Sequence, residues 1–226
     1  MEAKGDIVFP CDQDDIWRKD KLEICENIMR KRKNILVLAS NYEEFGDCKK
    51  TIKPNSNNKE LIQVHFEGNL FKIFYPGCSY CIRRDFLKNI QKYWTKNSPH
   101  DATIWRYAML RDGLYALNDD LLLWRVYKTS TFELELINNH NREKKRQWLD
   151  YADDVLGDID QYLTDFQEYR TERNLKALKE NKKFLENRKQ FYDRASVFGG
   201  LKMIRYMKYY AAPIQFFGDW FHVFRK

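Results

Sequence analysis

The sequence predicts a mixed α/β domain followed by an all-α extension. Over residues 1–137, short apolar runs typical of strands alternate with amphipathic stretches typical of helices, which is the pattern of an α/β layer structure. After His140 the apolar residues recur only at helical spacings. We therefore expect an α/β domain over residues 1–137 and a helical extension over residues 138–226 of this 226-residue chain.

The composition argues against disordered, secreted and membrane-spanning proteins. Hydrophobic residues make up 43% and aromatic residues 15% of the chain, which is enough to form a core. No apolar run approaches the roughly 20 residues that span a bilayer, and the first residues lack the basic-then-apolar order of a signal peptide. We expect a cytoplasmic protein, with peripheral contact at the inner face of the plasma membrane as one option.

The cysteines indicate reduced thiols rather than disulfide bonds. They are odd in number and irregularly spaced, in a chain too large to need covalent cross-links: Cys11, Cys25, Cys48, Cys78 and Cys81. Cys78 and Cys81 form a CxxC pair, but no second pair or histidine cluster accompanies them in the sequence. We predict two partly buried thiols here rather than a zinc or redox site.

The first elements are predicted from the stretch "GDIVFPCDQDDIWRKDKLE" and the residues after it. Residues 6–11 form an apolar run that suggests a strand buried on both faces, as in a parallel sheet. An amphipathic helix is predicted to begin near Trp17, with apolar positions at Leu22, Ile24, Cys25, Ile28 and Met29. Residues 34–45 predict the next strand, and residues 46–59, rich in Lys and Asn, predict a mobile loop.

The rest of the α/β domain carries a turn, two helix starts and further strands. "LFKIFYPGCSYCIRRDFLKNI" predicts a strand, a turn and a helix start. In "KNSPHD", Ser98 is predicted to cap a helix whose first residue is Pro99, and Asp101 follows three residues after the cap, as in a capping box. That helix should end at Gly113, and residues 114–127 supply one or two strands.

Two long helices are predicted in the extension. Apolar residues alternate spacings of four and three over three heptads, which predicts a helix packed along another helix: Trp148, Ala152, Val155, Ile159, Tyr162, Phe166 and Tyr169. A second helix, over about residues 172–194, has the sparse apolar face Leu175, Leu178, Leu185 and Tyr192.

Charge is distributed unevenly over these helices. Residues 142–168 contain four basic and eight acidic residues, whereas residues 170–208 contain twelve basic and four acidic residues. This asymmetry predicts helices that pair with each other, or else a surface for phosphates or anionic lipid. Nucleic acid is a weaker interpretation of the net charge of +7, because no recognised nucleic-acid motif accompanies it. Residues 196–226, with many aromatics and interleaved lysines, suit a membrane interface or a helix docked on the core.

Three acidic residues, Asp12, Asp14 and Asp15, follow directly on the first predicted strand. They are expected at its carboxyl end, where open α/β sheets place their ligands. Carboxylates presented together suit Mg²⁺ or Mn²⁺ held jointly with a diphosphate. The alternative is a polar turn that caps the following helix, and the spacing alone does not decide between the two.

Three segments resemble the family 2 glycosyltransferases, particularly the rhamnosyltransferase-like branch of bacterial cell-surface polysaccharide synthesis. "AKGDIVFPCDQDDIWRKDKLE" is similar to the family's strand, DxD motif and following helix. "PGCSYCIRRDFL" is similar to its Gly-rich acceptor-side turn, and "PHDATIWRYAMLRDGLYALNDDLLLWRVYKTST" to its histidine-aspartate, helix, strand and YRxH succession. The resemblance covers roughly residues 3–131 and implies a GT-A-like (Rossmann-like) mixed sheet.

The resemblance implies a single inverting transfer from a nucleotide-diphosphate sugar to a glycan or lipid-linked acceptor. Asp12 would contact the sugar nucleotide, Asp14 would bind the Mg²⁺ or Mn²⁺ that bridges its diphosphate, and Asp15 would support them. Asp101 would be the general base that takes the proton of the acceptor hydroxyl. Arg125 would help to neutralise the leaving diphosphate. The donor suggested by the resembled branch is deoxythymidine diphosphate rhamnose.

The sequence also departs from the family. Tyr127 stands where the YRxH pattern has a histidine that often completes the metal site, so weakened metal binding is expected. His100 is expected to orient its loop rather than to react. The chain starts just before the DxD strand, so the family's first nucleotide-binding strands are expected to be missing. A truncated reading frame, a second chain that completes the lobe, or a remnant that folds without catalysing would each explain this.

Two alternatives to an active transferase therefore stay open. The first is an inactive glycosyltransferase-like interaction module whose helical tail binds a partner. The second is a basic tail that docks the protein on a membrane or a nucleic acid, with a purely structural acidic cluster.

Overall fold

The chain forms two compact units. A computed structural model describes residues 3–46, 57–96, 98–126, 142–210 and 212–225. The first unit comprises Met1–Phe66 and Ile73–Ser130, and the second comprises Glu67–Lys72 and Thr131–Lys226. The predicted boundary at residue 137 and most of the predicted mobile loop lie outside the described residues. Nothing in the sequence indicated that Glu67–Lys72 belongs with the helices.

The first unit is built on a curled, mixed β-sheet. Its strands are β1 (Ile7–Val8), β2 (Ile16–Trp17), β3 (Val37–Phe45), β4 (Leu61–Gln63), β5 (Tyr80–Arg83) and β6 (Leu114–Arg125). The strand order is β1-β5-β3-β6-β2, and β4 also pairs with β6. β3 and β6 run parallel, and the other pairings are antiparallel. The prediction of an α/β unit with a mixed sheet is confirmed.

The long strand β6 organises this sheet. One edge pairs with β3, while β4 and β2 pair with different parts of β6, around Ala116 and around Leu122. The β3–β6 register shifts between Ser40 and Tyr42, which leaves extra residues on β6 opposite this point. Such irregularities bend a strand and raise its local twist, so the sheet curls here.

Three sequence predictions in this unit are wrong. Residues 6–11 supply only the half-buried strand β1, which pairs antiparallel with β5 at the sheet edge and is not buried within a parallel sheet. Helix α1 (Lys21–Lys31) begins four residues after Trp17, because Ile16 and Trp17 pair with β6. No strand forms over residues 70–75; the strand in that region is β5.

The helices of the first unit cover the sheet. In α1, Cys25 and Met29 are buried against a cluster that includes Leu38, Cys81 and Leu121. Helix α2 (Arg84–Ile90) follows β5, and α3 (His100–Leu110) is buried along almost its whole length. Tertiary burial therefore stabilises α3, whose apolar residues are not confined to one face.

The second unit is helical. Its helices are α4 (Arg142–Asp165), α5 (Glu172–Arg194), α6 (Val197–Lys202) and α7 (Pro213–Phe224), with 3-10 turns at Gln167–Tyr169 and Met203–Tyr209. The helix predicted over about residues 172–194 is confirmed. No helix among the described residues is long and apolar enough to cross a membrane.

The opposite charges of α4 and α5 pair across their interface. The nitrogen–oxygen distance is 2.6 Å between Lys182 and Asp160, 2.7 Å between Lys189 and Asp153, and 2.9 Å between Arg146 and Asp193. The first interpretation of the charge asymmetry, pairing of the two helices, is therefore confirmed for these residues.

The predicted apolar seam is confirmed only in its central part. Its buried members lie on α4: Ala152, Val155, Ile159 and Tyr162. Because α4 ends at Asp165, Phe166 and Tyr169 lie beyond the helix, where their rings contact that of Tyr162 at centroid distances of 4.8 and 6.2 Å.

A buried ion pair fixes α7 on α5. The Nε and Nη2 atoms of Arg188 donate to Asp219 Oδ2 and Oδ1 at 2.6 and 2.8 Å. The hydroxyls of Tyr192 and Tyr210 each donate to the same carboxylate at 2.8 Å. The charged side chains are 4% and 0% exposed. The prediction of a docked helix within residues 196–226 is therefore confirmed for α7.

Candidate functional site

The acidic turn, residues 12–15, connects β1 to β2. The Asp15 N–H donates to the Asp12 carbonyl oxygen at 3.4 Å. Pairing of β2 with β6 then places Asp15 beside the carboxyl end of β6, where the Arg125 N–H donates to Asp15 Oδ1 at 3.0 Å. The acidic turn follows β1, as its sequence context predicted, but β1 is an antiparallel edge strand and the strand end beside which Asp15 lies is that of β6.

Arg125 holds the acidic turn through its side chain as well. Its Nε donates to the Asp14 carbonyl oxygen at 3.1 Å, and its guanidinium lies 4.4 Å from the centroid of the Phe45 ring. The residue is otherwise exposed. The structure thus brings Arg125 together with Asp14 and Asp15, as expected for residues of one site.

A second arginine anchors the chain just after the acidic turn. The Nη1 and Nη2 atoms of Arg18 donate to Asp119 Oδ1 and Oδ2 at 2.6 and 2.9 Å, and its Nε donates to Asp20 at 2.6 Å. Asp119 is buried and lies in the irregular stretch of β6. Bidentate pairing of this kind is geometrically specific, so it fixes the turn relative to β6. Sequence reasoning missed the pair, because its members lie 101 residues apart.

A carboxylate–thiol cluster forms at the acidic turn. Oxygens of Asp12 and Asp15 and the Sγ of Cys78 all lie within 4.8 Å of one another. Asp14, predicted as the metal ligand, is outside this group of three. Asp15 Oδ2 is buried and has no hydrogen-bond partner within the part of the chain that the structure describes.

The protonation of Asp15 reflects this environment. Burial raises the pKa of its carboxyl group, the Arg125 N–H and the Cys78 thiol oppose that shift by hydrogen bonding, and the charges of Asp12 and Asp14 add to it. A carboxylate oxygen that is buried without a donor gains from a cation placed beside it. The two carboxylates therefore fit a hard divalent cation such as Mg²⁺ or Mn²⁺.

Cys78 and Cys81 are buried free thiols, in line with the prediction of partly buried thiols, but the sequence did not indicate that Cys78 would lie at the acidic turn. Cys78 lies in the 3-10 turn Gly77–Ser79 and is 2% exposed. Burial raises the pKa of its thiol, and the nearby Asp15 charge raises it further, so the group is a neutral thiol at pH 7. The other cysteine of the CxxC pair, Cys81, has a different environment. It is the second residue of β5 and belongs to the core cluster with Cys25.

Lys21 places a buried positive charge next to this cluster. Its side chain is fully buried, its Nζ donates to the Cys78 carbonyl oxygen at 2.9 Å, and it lies 4.0 Å from the centroid of the Trp17 ring. Burial lowers the pKa of the ammonium group, and the Asp15 charge is among the groups that oppose this. In the sequence Lys21 is one of several basic residues of "WRKDK", so nothing distinguished it there.

Gly77 joins the acidic turn to the "PHD" segment. A Cβ atom at this position would lie 2.2 Å from His100 Nε2 and 3.2 Å from Asp101 Cβ, which leaves no space for a side chain. The rings of Tyr75 and Tyr80, on either side of the turn, stack on Trp105 of α3 at 5.8 and 6.1 Å. Two of the three family-like segments, "PGCSYC" and "PHD", are thus in direct contact.

Asp101 is half-buried at the start of α3. Its Oδ1 accepts a hydrogen bond from the Ala102 N–H at 2.7 Å. The helix begins at His100 with Pro99 at its N-cap and no side-chain cap, so the predicted Ser98–Asp101 capping box is wrong; the Ser98 hydroxyl lies 2.8 Å from that of Thr103. Asp101 is not a member of the carboxylate–thiol cluster and adjoins it through Gly77. Tyr127, the predicted departure at the metal site, lies outside the described residues.

No protein-family model matches the chain, and a comparison with curated proteins found no match either. The resemblance to family 2 glycosyltransferases therefore depends on the three sequence segments and on the way in which the structure arranges them.

Proposed function

We propose that the chain is a glycosyltransferase that takes a sugar from a nucleotide-diphosphate donor and transfers it, with inversion, to a hydroxyl of a glycan or lipid-linked acceptor. One observation carries the proposal: the Gly77–Ser79 turn contacts the acidic turn through Cys78 and the "PHD" segment through Gly77. The candidate diphosphate-binding group and the candidate general base would then lie on the two sides of one turn. In this proposal the curled mixed sheet is part of a GT-A-like fold.

The proposed chemistry divides the roles between these two sides. Asp12 and Asp15, rather than Asp14, would hold the Mg²⁺ or Mn²⁺, which when bound neutralises charge on the leaving diphosphate. The Arg125 guanidinium would contribute positive charge near the same group. Asp101 would accept the proton of the acceptor hydroxyl while the hydroxyl oxygen bonds to the anomeric carbon of the donor sugar. The bond from that carbon to the diphosphate oxygen breaks in the same step, and the nucleoside diphosphate departs with the electron pair.

Thermal unfolding of the full chain with nucleoside diphosphates tests donor binding. The chain is titrated with uridine, guanosine and deoxythymidine diphosphates, with and without Mn²⁺. We expect at least one nucleotide to raise the unfolding temperature only when Mn²⁺ is present, because binding to the folded state stabilises it by mass action. Asp12→Asn and Asp15→Asn should abolish that shift. Asp85→Asn, an exposed carboxylate on α2, is the matched control and should leave it unchanged.

Asp101→Asn separates binding from catalysis. It should keep the nucleotide-dependent shift and lower transfer or donor hydrolysis by about 10²–10⁴-fold, the usual contribution of a general base. If no nucleoside diphosphate shifts the unfolding of the wild-type chain, the transferase proposal fails. If binding is normal but Asp101→Asn retains full activity, the site stands and the assignment of the base is wrong.

A further inference from the structure

The end of the second unit exposes a group of large apolar side chains. They lie on α6, on the 3-10 turn Met203–Tyr209 and on α7, and each is more than two-fifths exposed: Val197, Phe198, Leu201, Ile204, Ile214, Phe217, Phe221 and Phe224. Phe198 is 84% exposed and Ile214 is 71% exposed. Single exposed apolar residues are common on protein surfaces, but a concentration of this size marks an interaction site.

Helix α7 is apolar on both of its faces. One face, with Phe216, Asp219 and Val223, is buried within the unit. The opposite face presents Ile214, Phe217 and Phe221 at helical spacings of three and four. A helix that is apolar all round normally has both faces covered. The described residues of the unit cover only one of them.

Helix α6 crosses this helix closely. A Cβ atom at Gly200 would lie 2.3 Å from Trp220 Cζ2, so the two helices are in direct contact there. The exposed apolar residues of α6 and α7 thus belong to two helices that contact each other. We call the eight exposed residues of the group the terminal apolar surface.

Within residues 196–226 the charge is mostly of one sign, and Lys208 of this segment pairs with Glu180 of α5 at 3.4 Å. Residues 196–226 contain five basic residues and one acidic residue. That acid is Asp219, which is fully buried and paired with Arg188. Lys202 and Arg205 are exposed between the apolar residues, and the Arg225 guanidinium lies 5.0 Å from the centroid of the Phe221 ring.

We propose that the terminal apolar surface inserts into the headgroup region of an anionic phospholipid bilayer. Phenylalanine and isoleucine side chains partition into the boundary between headgroups and acyl chains, while neighbouring Lys and Arg pair with lipid phosphates. An isologous dimer through the same surface would bring two positively charged segments together, and the single acid within residues 196–226, Asp219, is buried and cannot pair with them, which is unfavourable. The charge pattern therefore favours lipid over a second copy of the chain. This inference does not depend on the proposed transferase activity.

Co-sedimentation of the full chain with lipid vesicles tests the proposal. Vesicles of phosphatidylcholine with about 30 mol% phosphatidylglycerol should bind the chain, and pure phosphatidylcholine should bind it about tenfold more weakly. Phe217→Ser with Phe221→Ser should lower the partition coefficient on anionic vesicles about tenfold or more, since two exposed phenylalanines are lost. Lys202→Glu with Arg205→Glu should do the same, and raising the salt to about 0.5 M should weaken wild-type binding.

Matched controls lie in the first unit. Leu22→Ser with Ile62→Ser removes two exposed apolar residues, and Lys31→Glu with Lys33→Glu reverses two exposed charges. Both should bind vesicles like the wild type, and circular dichroism should show every variant folded. Absence of binding to anionic vesicles, or binding that the Phe217 and Phe221 substitutions leave unchanged, overturns the proposal. A concentration-dependent dimer without lipid that these substitutions abolish would also overturn it, in favour of a self-association surface.

Discussion

Removal of the Asp219 carboxylate should strongly destabilise the helical unit. In Asp219→Ala the Arg188 guanidinium stays buried among the rings of Trp148, Phe184 and Tyr210 without a counter-charge. Breaking a fully buried ion pair by deleting one partner costs about 3–5 kcal/mol, because an uncompensated charge remains in the interior. Since whole domains are stable by roughly 5–15 kcal/mol, this is a large part of the total.

Urea unfolding followed by circular dichroism measures this cost. The matched control is Asp160→Ala, which deletes an aspartate paired with Lys182 at the same 2.6 Å distance but with both side chains 44% exposed. Exposed pairs contribute about 0–1 kcal/mol, so the two substitutions should differ by several kcal/mol. The shortest nitrogen–oxygen distance is equal in the two pairs, whereas burial and the number of hydrogen bonds to the carboxylate differ.

A double substitution distinguishes loss of the charge from loss of packing. Arg188→Met with Asp219→Leu replaces both ions by apolar groups, and such replacements are often near neutral in cost. The double variant should therefore be more stable than Asp219→Leu alone, although Tyr192 and Tyr210 still lose their acceptor. An Asp219→Ala cost below about 1 kcal/mol, equal to that of Asp160→Ala, would refute the buried-pair reasoning.

Three further predictions concern the first unit. Gly77→Ala should displace the His100 ring and lower transfer activity at least about tenfold, with little change in unfolding temperature. Adding His100→Ala to this variant removes the ring that the new methyl group meets, so it should restore part of the activity. Asp15→Asn should raise the free energy of unfolding at pH 7. The pKa of Asp15 is raised in the folded state, so ionisation of this group lowers stability as pH rises, and the gain should vanish below the unfolded pKa of about 3.9. Urea unfolding at pH 3 and pH 7 checks this. Burial raises the pKa of Tyr42 to about 12, so between pH 10 and 12 the free energy of unfolding of the wild type should fall by up to about 2–3 kcal/mol relative to that of Tyr42→Phe. An equal pH dependence of the free energy of unfolding in both proteins would contradict this.

The sequence predicted those elements whose pattern is local. The helix Glu172–Arg194 has its boundaries where the sequence placed them, because a capping threonine, whose side chain accepts from the Asn174 N–H, and helical periodicity both lie within the segment. The strand over Leu114–Arg125 was also found within residues 114–127, although Asn118, Asp119 and Asp120 interrupt its apolar residues.

The errors arose where distant pairing overrides local preference. Ile16 and Trp17 belong to a continuous amphipathic stretch, but they pair with Leu123 and Leu122 of β6, and this pairing delays the helix to Lys21. Residues 6–11 are apolar enough for a buried strand, yet their only described partner is the short β5. Sequence periodicity carries no information about which strand will be the neighbour.

The candidate site shows the same division between local and distant information. The acidic turn and its place beside a strand end followed from the sequence, but the contribution of Cys78 depends on a contact between segments more than sixty residues apart. Lys21 is the other case. A buried ammonium group whose pKa is lowered destabilises the fold unless neighbouring groups compensate for its lost hydration. The described contacts of the Lys21 ammonium group are the Cys78 carbonyl oxygen and the Trp17 ring.

The position of Lys21 is therefore best understood together with the acids. Its charge partly balances Asp15, so the acidic turn can be held close to the neutral Cys78 thiol when no cation is bound. A site arranged in this way has a carboxylate oxygen still lacking a donor among the described residues, while a positive charge lies on the buried side. Under the proposed function, a cation held by Asp12 and Asp15 would supply the interaction that this oxygen lacks.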